Sequence, residues 1–170
     1  LPDTDARSVA MIPCSRWTTK NWPIEHFSVL ACRLHDQLGL RVILAGAPGD
    51  RDVCDAIAHQ SGVEVLNLAG KTTIPQLGGL LSQMDLVISV DSGPMHMACA
   101  AGVPVVALFG PTSARRTGPY SAGATTKVML AEPRLSCQPC MSRTCANAIE
   151  NACLRQLDPD SVFEMAAHML

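Results

Sequence analysis

The clearest structural signal in the sequence lies at residues 86–100, which read LVISVDSGPMHMACA. The first five residues form a continuous apolar run rich in β-branched residues, which is typical of a strand buried on both faces of a sheet. Pro94 then suits the first turn of a helix that carries Met95, Ala98 and Cys99 on its inner side. The segment DSG between them would therefore lie at the carboxyl end of a buried strand.

Apolar runs of the same kind recur along the chain, at residues 8–12, 41–44, 63–66, 86–90, 104–109 and 126–130. Amphipathic helical patterns alternate with these runs. The clearest one repeats apolar residues from Ile24 to Leu38 in steps of three and four, and Gly39 suits the position just past its end. This alternation predicts an α/β fold with a doubly wound, six-stranded parallel sheet, right-handed crossovers and helices on both faces.

Polar residues mark the starts of other predicted helices. Thr73 and Gln76 have the spacing of a capping box, in which each side chain bonds the backbone N–H of the other residue. Asp50 and Asp158 each precede a helical pattern, in the D-x-D sequences 50–52 and 158–160. Because acidic residues are favoured near the positive end of the helix dipole, we interpret both sequences as helix caps rather than metal ligands.

Length and composition exclude several classes of protein. The 170 residues suffice for one domain, and a composition of 48% hydrophobic and 16% charged residues excludes a disordered chain. The formal net charge of −2 disfavours a surface for nucleic acid or anionic membranes, and no apolar run is long enough to span a bilayer. The chain starts LPDTD, without an initiator Met or a signal sequence, so we expect a piece cut at a linker from a longer protein.

The loops after the predicted strands hold the candidate site, because ligands of open parallel sheets bind beyond the carboxyl ends of the strands. Two of the three lysines in the chain, Lys20 and Lys71, lie in such loops. Ser92 and Gly93 precede a helix whose free backbone N–H groups and dipole attract anions, and His96 in its first turn can donate a hydrogen bond. Together these groups predict a cradle for a diphosphate.

Each candidate also has an ordinary structural explanation. Asp91 could only cap the following helix, His96 could be a structural histidine, and Lys71 could be a solvated loop residue. The sequence lacks G-x-G-x-x-G after the first strand and lacks G-x-x-x-x-G-K-[ST]. A dehydrogenase or a P-loop NTPase would therefore be without its usual phosphate-binding loop. No Ser-His-Asp or Cys-His nucleophile pair stands out.

Four of the eight cysteines lie close together, in the pattern Cys137-x2-Cys140-x4-Cys145-x7-Cys153. Four thiolates suffice for a tetrahedral zinc site, but the spacing is irregular and no second Cys-x2-Cys is present. We expect structural thiols rather than a metal site, and zinc binding and oxidation remain alternatives. The other cysteines lie singly in apolar segments, where they are expected to pack as small hydrophobic residues: Cys14, Cys32, Cys54 and Cys99.

Four segments of the chain occur in the order found in one enzyme family: Ser15-Arg16-x3-Lys20-x-Trp22-Pro23, Gly46-Ala47-Pro48-x-Asp50, Asp91-Ser92-Gly93-Pro94-Met95-His96 and Leu108-Phe109-Gly110-Pro111-Thr112. They resemble the ADP-heptose:lipopolysaccharide heptosyltransferases of glycosyltransferase family 9, and the resemblance covers essentially the whole chain. The Cys-x2-Cys-x4-Cys segment resembles the heptosyltransferase II branch more than the I branch.

This resemblance implies the GT-B arrangement of two facing Rossmann-like domains. Residues 1–170 would form the C-terminal domain, which binds the sugar nucleotide, with an irregular Cys-bearing excursion near 132–151 and with the N-terminal acceptor domain absent. The family transfers L-glycero-D-manno-heptose from ADP-heptose to the lipopolysaccharide inner core, with inversion and without a metal or other cofactor. Its catalytic base belongs to the N-terminal domain, so this chain alone would bind the nucleotide without turnover.

The resemblance also assigns contacts to individual residues. Ser15 and Lys20 match contacts to the diphosphate, and Asp50 matches an acidic residue that holds the ribose. The contacts to the sugar and the diphosphate match Asp91, Ser92, Gly93 and His96. Arg16 stands where the I branch has a small hydroxyl residue, which leaves its role open, and Lys71 completes the set of candidate nucleotide-binding residues.

Two other functions stay open from the residues alone. One is another GT-B enzyme, either a transferase for a different nucleotide sugar or a sugar-nucleotide epimerase. The other is a nucleotide-binding module without catalysis. For the heptosyltransferase we expect a cytoplasmic protein, and a peripheral association with the inner membrane is left open.

Overall fold

The computed structural model describes residues 6–120 and 125–170, so the linker-like start at residues 1–5 lies outside the described part. In the described residues, six strands form one parallel sheet in the order β3-β2-β1-β4-β5-β6. The strands are β1 (Ser8–Ile12), β2 (Arg41–Leu44), β3 (Val65–Asn67), β4 (Leu86–Val90), β5 (Val105–Leu108) and β6 (Thr126–Met129). The predicted doubly wound α/β sheet is confirmed. The strand order reverses between β1 and β4, and a reversal of this kind opens a crevice at the carboxyl edge.

Helices cover both faces of the sheet. They are α1 (Ile24–Leu38), α2 (Arg51–Ser61), α3 (Ile74–Leu81), α4 (Gly93–Ala100), α5 (Ala114–Thr117), α6 (Ala152–Arg155) and α7 (Pro159–Met169), with 3-10 turns at Thr18–Lys20 and Pro48–Asp50. Helices α1, α2 and α7 contribute to one apolar cluster, and α3 and α4 contribute to the other. Within the two described ranges, no helix has both the length and the apolar character needed to cross a membrane.

Strand β1 shows why the central strands are apolar at every position. Val9 and Met11 lie in the cluster formed with α1, whereas Ala10 and Ile12 lie in the cluster formed with α3 and α4. All four side chains are at most 1% exposed. Because successive side chains point to opposite faces and both faces are covered, each position must be apolar. Fully burying a side chain such as Ile12 stabilises the fold by about 1.5–3 kcal/mol.

Two predicted helix ends are found as expected. Gly39 ends α1 in the left-handed conformation, at φ 64°, and its N–H donates to the carbonyl of His35 at 3.0 Å. The capping box of α3 is also present: Thr73 N–H donates to Gln76 Oε1 at 2.9 Å, and Gln76 N–H donates to Thr73 Oγ1 at 3.5 Å. Both ends are set by local chemistry, which is why the sequence predicts them.

The interpretation of Asp50 and Asp158 as side-chain caps is wrong. Both residues stand directly before a helix, but neither carboxylate accepts a capping hydrogen bond. Asp50 Oδ2 instead accepts the N–H of Ala47 at 2.7 Å, across the turn Pro48–Asp50. The Asp50 carboxylate therefore closes the turn before α2 and does not cap the helix itself.

Other differences from the prediction lie at the sheet edge and after β6. Strand β3 begins two residues later than predicted, and it includes Asn67, whose side chain donates to Asp55 Oδ1 at 2.7 Å. The strand is only partly buried at the edge of the sheet, so burial does not fix its ends. Residues 132–151 form turns and bends without a helix or strand. The four-residue helices α5 and α6 are too short to show a helical period in sequence.

The isolated cysteines divide by burial. Cys14, Cys54 and Cys99 are buried as predicted, and burial raises the pKa of both Cys14 and Cys54 to about 12. The prediction is wrong for Cys32, which is partly exposed and lies with its Sγ atom 3.5 Å from Asp36 Oδ2. Cys32 occupies the boundary of the apolar face of α1, where the step of three and four residues does not resolve inside from outside.

Candidate functional site

The candidate site lies at the carboxyl edge of the sheet, around β1 and β4. These strands are neighbours, with Ile12 paired to Ser89 in the parallel register. The chain leaves both strands at the same edge, so the loop after β1 and the short turn into α4 meet above the switch point. The loop after β5 lies beside them, because β5 pairs with β4.

The centre of the site is an ion pair between these two loops. Lys20 Nζ lies 2.8 Å from Asp91 Oδ2, and the two side chains are only 16% and 6% exposed. Thr117 in α5 donates a hydrogen bond from Oγ1 to the same oxygen at 3.3 Å. Topology predicts that Lys20 and Asp91 share a site, but it does not predict that the acid is already engaged by the lysine.

The start of α4 is open beside this ion pair. Ser92 is the N-cap residue of α4, but its side chain makes no capping bond and lies instead 3.0 Å from Ser89 Oγ. Gly93 is exposed, and no atom lies within 4 Å of where a Cβ would stand. His96 is exposed in the first turn, and within the described ranges its side chain forms no hydrogen bond. The free backbone N–H groups at this helix end can therefore donate hydrogen bonds to a bound anion.

The loop after β2, which carries Asp50, is packed closely against two glycines. A Cβ on Gly46 would lie 2.7 Å from Asp50 Oδ2. Gly70 has φ +71°, a Cβ there would lie 2.8 Å from the Cα atom of Pro48, and its N–H donates to the Gly46 carbonyl at 3.0 Å. Burial raises the pKa of the Cys14 thiol, in the loop after β1, and the neighbouring Asp50 carboxylate raises it further.

The remaining candidates take less central positions. Ser15 N–H donates to Asn21 Oδ1 at 2.8 Å, and Trp17 N–H lies 3.4 Å from Ser15 Oγ, so Ser15 shapes the loop that carries Lys20. Arg16 is exposed in the same loop. Lys71 is exposed after β3, two strands from β1, and the structure does not bring it to the Lys20–Asp91 pair.

Sequence analysis misses one cation that the structure brings to this edge. Arg143 belongs to the irregular excursion, and its Cζ atom lies 4.9 Å from the centroid of the Trp17 ring. Lys20 Nζ lies 4.7 Å from the same centroid. Nothing in the spacing links residues 17 and 143. The only sequence signal is a tryptophan in a strand-end loop three residues before a lysine.

The clustered cysteines line a small cavity of about 20 Å³ between the excursion and the loop after β1. All are free thiols, and the cavity wall includes Cys137, Cys140, Cys145 and Cys153. Burial, together with the neighbouring thiols, raises the pKa of Cys153 to about 11. In the described part of the chain, no three His, Cys, Asp or Glu side chains are arranged to hold a metal ion.

Comparison with known proteins agrees with this geometry. Residues 3–149 match the model of glycosyltransferase family 9 (heptosyltransferase). Lipooligosaccharide heptosyltransferase 2 of Campylobacter jejuni is 31% identical over 156 residues, which are 90% of this chain and 47% of that protein. The chain therefore spans about half the length of the curated relatives it matches.

Solved structures give the same result. The structure of Escherichia coli ADP-heptose lipopolysaccharide heptosyltransferase II matches with a TM-score of 0.80 and 26% identity, over 98% of this chain and 47% of that one. A glycosyltransferase family 9 structure from Veillonella parvula matches with a TM-score of 0.81 and 25% identity, over 99% of this chain and 47% of that one. On the family match over most of its length, this chain belongs to glycosyltransferase family 9, the heptosyltransferases.

Proposed function

We propose that this chain is the donor-binding half of a heptosyltransferase, which binds ADP-heptose and presents L-glycero-D-manno-heptose for transfer to the lipopolysaccharide core. The observation that carries the proposal is the Lys20 ammonium, held by Asp91 beside the uncapped start of α4 at the switch point. A cation beside the backbone N–H of Gly93, at the start of a helix whose side-chain cap is missing, forms a site for a diphosphate.

The same groups suit the chemistry of transfer. Breaking the bond between the sugar and the diphosphate leaves additional negative charge on the departing ADP. Lys20 and the N–H groups at the start of α4 stabilise that charge more strongly in the transition state than in the ground state, which lowers the barrier. Gly93 has no side chain to prevent a phosphate from approaching the backbone.

The other candidate residues take roles around this centre. Asp50 binds the ribose, since its carboxylate is fixed by the Ala47 N–H at the carboxyl edge of β2. Ser92 and His96 bind the diphosphate or the sugar from the start of α4. Arg16 and Lys71 are exposed and add positive charge to the loops at the carboxyl edge of the sheet, Arg16 in the loop that carries Lys20 and Lys71 two strands from β1.

The acceptor and the catalytic base belong to the other half of the proposed enzyme. Asp91 is the acid at the centre of the described site, and its charge is engaged by Lys20 at 2.8 Å. We therefore assign no base to this chain and expect the N-terminal acceptor domain to supply it, in a cytoplasmic protein. Incubation of this chain with ADP-heptose and a lipopolysaccharide core acceptor should release no ADP, and turnover would contradict this division of roles.

Calorimetric titration tests the donor specificity. ADP, UDP, GDP, NAD and ADP-heptose are titrated into this chain under one buffer condition. We expect ADP to bind more tightly than the other nucleotides and the heptose to strengthen binding further. A preference for UDP or GDP would indicate another GT-B enzyme, and the absence of binding to all five ligands would contradict a donor-binding site in this chain.

A further inference from the structure

The irregular excursion is fixed to the loops of the site by hydrogen bonds. Thr19 is 4% exposed, and its Oγ1 atom donates to the Ser142 carbonyl at 3.0 Å. Met141 N–H donates to the Pro111 carbonyl, in the loop after β5, at 2.8 Å. Residues 141–142 are therefore held between the loops that follow β1 and β5, one residue before Arg143.

This attachment brings Arg143 to the Trp17 ring that Lys20 also contacts. Both cations lie over the Trp17 ring, at 4.9 Å and 4.7 Å from its centroid. Their separation is therefore no larger than those two distances together. A cation over an indole face is attracted by the negative face of the ring, which keeps the exposed guanidinium at this position.

The net charge of Lys20, Arg143 and Asp91, which form a cluster around Trp17, favours binding of an anion. Asp91 pairs with Lys20, but no carboxylate in residues 6–120 or 125–170 forms an ion pair with Arg143. Two cations and one anion leave the cluster with a net positive charge beside the open start of α4. A guanidinium presents N–H groups in a planar fork that matches two oxygens of a phosphate.

We propose that Arg143 is a second cationic residue for the nucleoside diphosphate, and that it binds phosphate oxygens together with Lys20 while Trp17 holds its guanidinium. The proposal rests on the proposed function, since it deepens the recognition of the same donor. It gives the excursion a direct role in ligand binding. An arginine that only covered Trp17 would leave the affinity for phosphate unchanged, and this difference can be measured.

The test is calorimetry on Arg143→Ala and Arg143→Lys, with ADP, AMP and inorganic pyrophosphate as probes. Arg134→Ala is the matched control, because Arg134 is an exposed arginine in the same excursion and pairs loosely with Glu132, at 3.9 Å. We expect Arg143→Ala to lower the affinity for ADP and for pyrophosphate by about tenfold, which corresponds to the loss of one charge-assisted hydrogen bond. The affinity for AMP should fall by less. Arg143→Lys should retain part of the affinity, and Arg134→Ala should bind like the parent.

Two results separate this proposal from the proposed function. If Arg143→Ala binds ADP and pyrophosphate as tightly as the parent, the role of Arg143 is overturned while donor binding stands. If Arg143→Ala weakens pyrophosphate binding but the parent prefers UDP or GDP to ADP, the role of Arg143 is confirmed and the proposal of ADP-heptose as donor is wrong. A parent that binds neither ADP nor pyrophosphate overturns both. Melting temperatures show whether a variant loses affinity because it unfolds. If Arg143→Ala unfolds, the affinity of folded Arg143→Lys for ADP and pyrophosphate tests the role of Arg143 instead.

Discussion

Replacing Lys20 by alanine should weaken ADP binding by more than the loss of one hydrogen bond. A hydrogen bond to a charged group contributes about 1.5–3 kcal/mol, and its loss raises the Kd by roughly 10- to 150-fold. The variant also leaves Asp91, with a side chain only 6% exposed, without its ammonium partner at 2.8 Å. Among residues 6–120 and 125–170, Thr117 Oγ1 at 3.3 Å is then the one hydrogen-bond donor left to that carboxylate. Because this unpaired charge also repels the diphosphate, the increase in Kd should reach or exceed the upper end of that range.

A second substitution separates the two contributions. In Lys20→Ala with Asp91→Asn, the carboxylate charge is removed together with the ammonium. The double variant should therefore bind ADP more tightly than Lys20→Ala, although less tightly than the parent. Asp91→Asn alone should weaken ADP binding less than Lys20→Ala does, because Lys20 keeps its charge for the phosphates and loses only the carboxylate that orients it. Such non-additivity is expected for side chains in direct contact.

The assay is calorimetry with ADP, together with urea unfolding of each variant. Leaving Asp91 unpaired should lower the free energy of unfolding of Lys20→Ala by about 1–3 kcal/mol, and Asp91→Asn in the same chain should restore part of it. Lys127→Ala is the control, because Lys127 is exposed on β6. If Lys20→Ala binds ADP within twofold of the parent, Lys20 does not contact the diphosphate and the site is wrongly placed.

Three further predictions follow from the fold. Gly70→Ala should lower the free energy of unfolding more than Gly62→Ala. Both glycines have φ +71°, but only at Gly70 would a Cβ lie 2.8 Å from a backbone carbon. Equal losses of unfolding free energy in urea would contradict this prediction. Burial lowers the pKa of His26 from 6.5, so below that pH the unfolded state binds more protons than the native state. The melting temperature should therefore fall as pH decreases below 6.5, and it should fall less in His26→Gln. Melting temperatures that fall equally with pH in the parent and the variant would contradict this prediction. Iodoacetamide at about pH 8 should modify exposed Cys137 well before Cys54, whose pKa burial raises to about 12, and mass mapping of the alkylated sites measures the order.

The fold could be predicted from the sequence where burial is complete. Val9 to Ile12 show the continuous apolar run of a strand covered on both sides, and the structure confirms the bounds of β1. At the edge, β3 is only partly buried, and the prediction begins it two residues early. The difference arises because apolar patterning reports burial, and an edge strand is defined by hydrogen bonds that leave no pattern in sequence.

For the site, the sequence predicts which loops lie together, because this follows from the strand order, but it does not predict the contacts between their side chains. Lys20 and Asp91 follow neighbouring parallel strands, so their proximity follows from the strand order. Their direct ion pair depends on the path of the loop after β1, which the strand pattern does not describe. Arg143 is separated from Trp17 by more than a hundred residues, and its position depends on tertiary hydrogen bonds such as that from Thr19 to Ser142. No local rule predicts such contacts.

The arrangement of charge also supports the proposal that donor binding and proton transfer are divided between two halves of the proposed heptosyltransferase. A base must accept a proton from the acceptor hydroxyl, so its carboxylate has to be free to bond that hydroxyl. Asp91 instead holds Lys20, and this contact keeps the ammonium at the start of α4. If the acid accepted the proton, it would lose the charge that orients the lysine at the moment when the departing diphosphate needs it. The site is therefore suited to hold and release a diphosphate, and in the proposed enzyme a base supplied by an N-terminal acceptor domain would act without disturbing it.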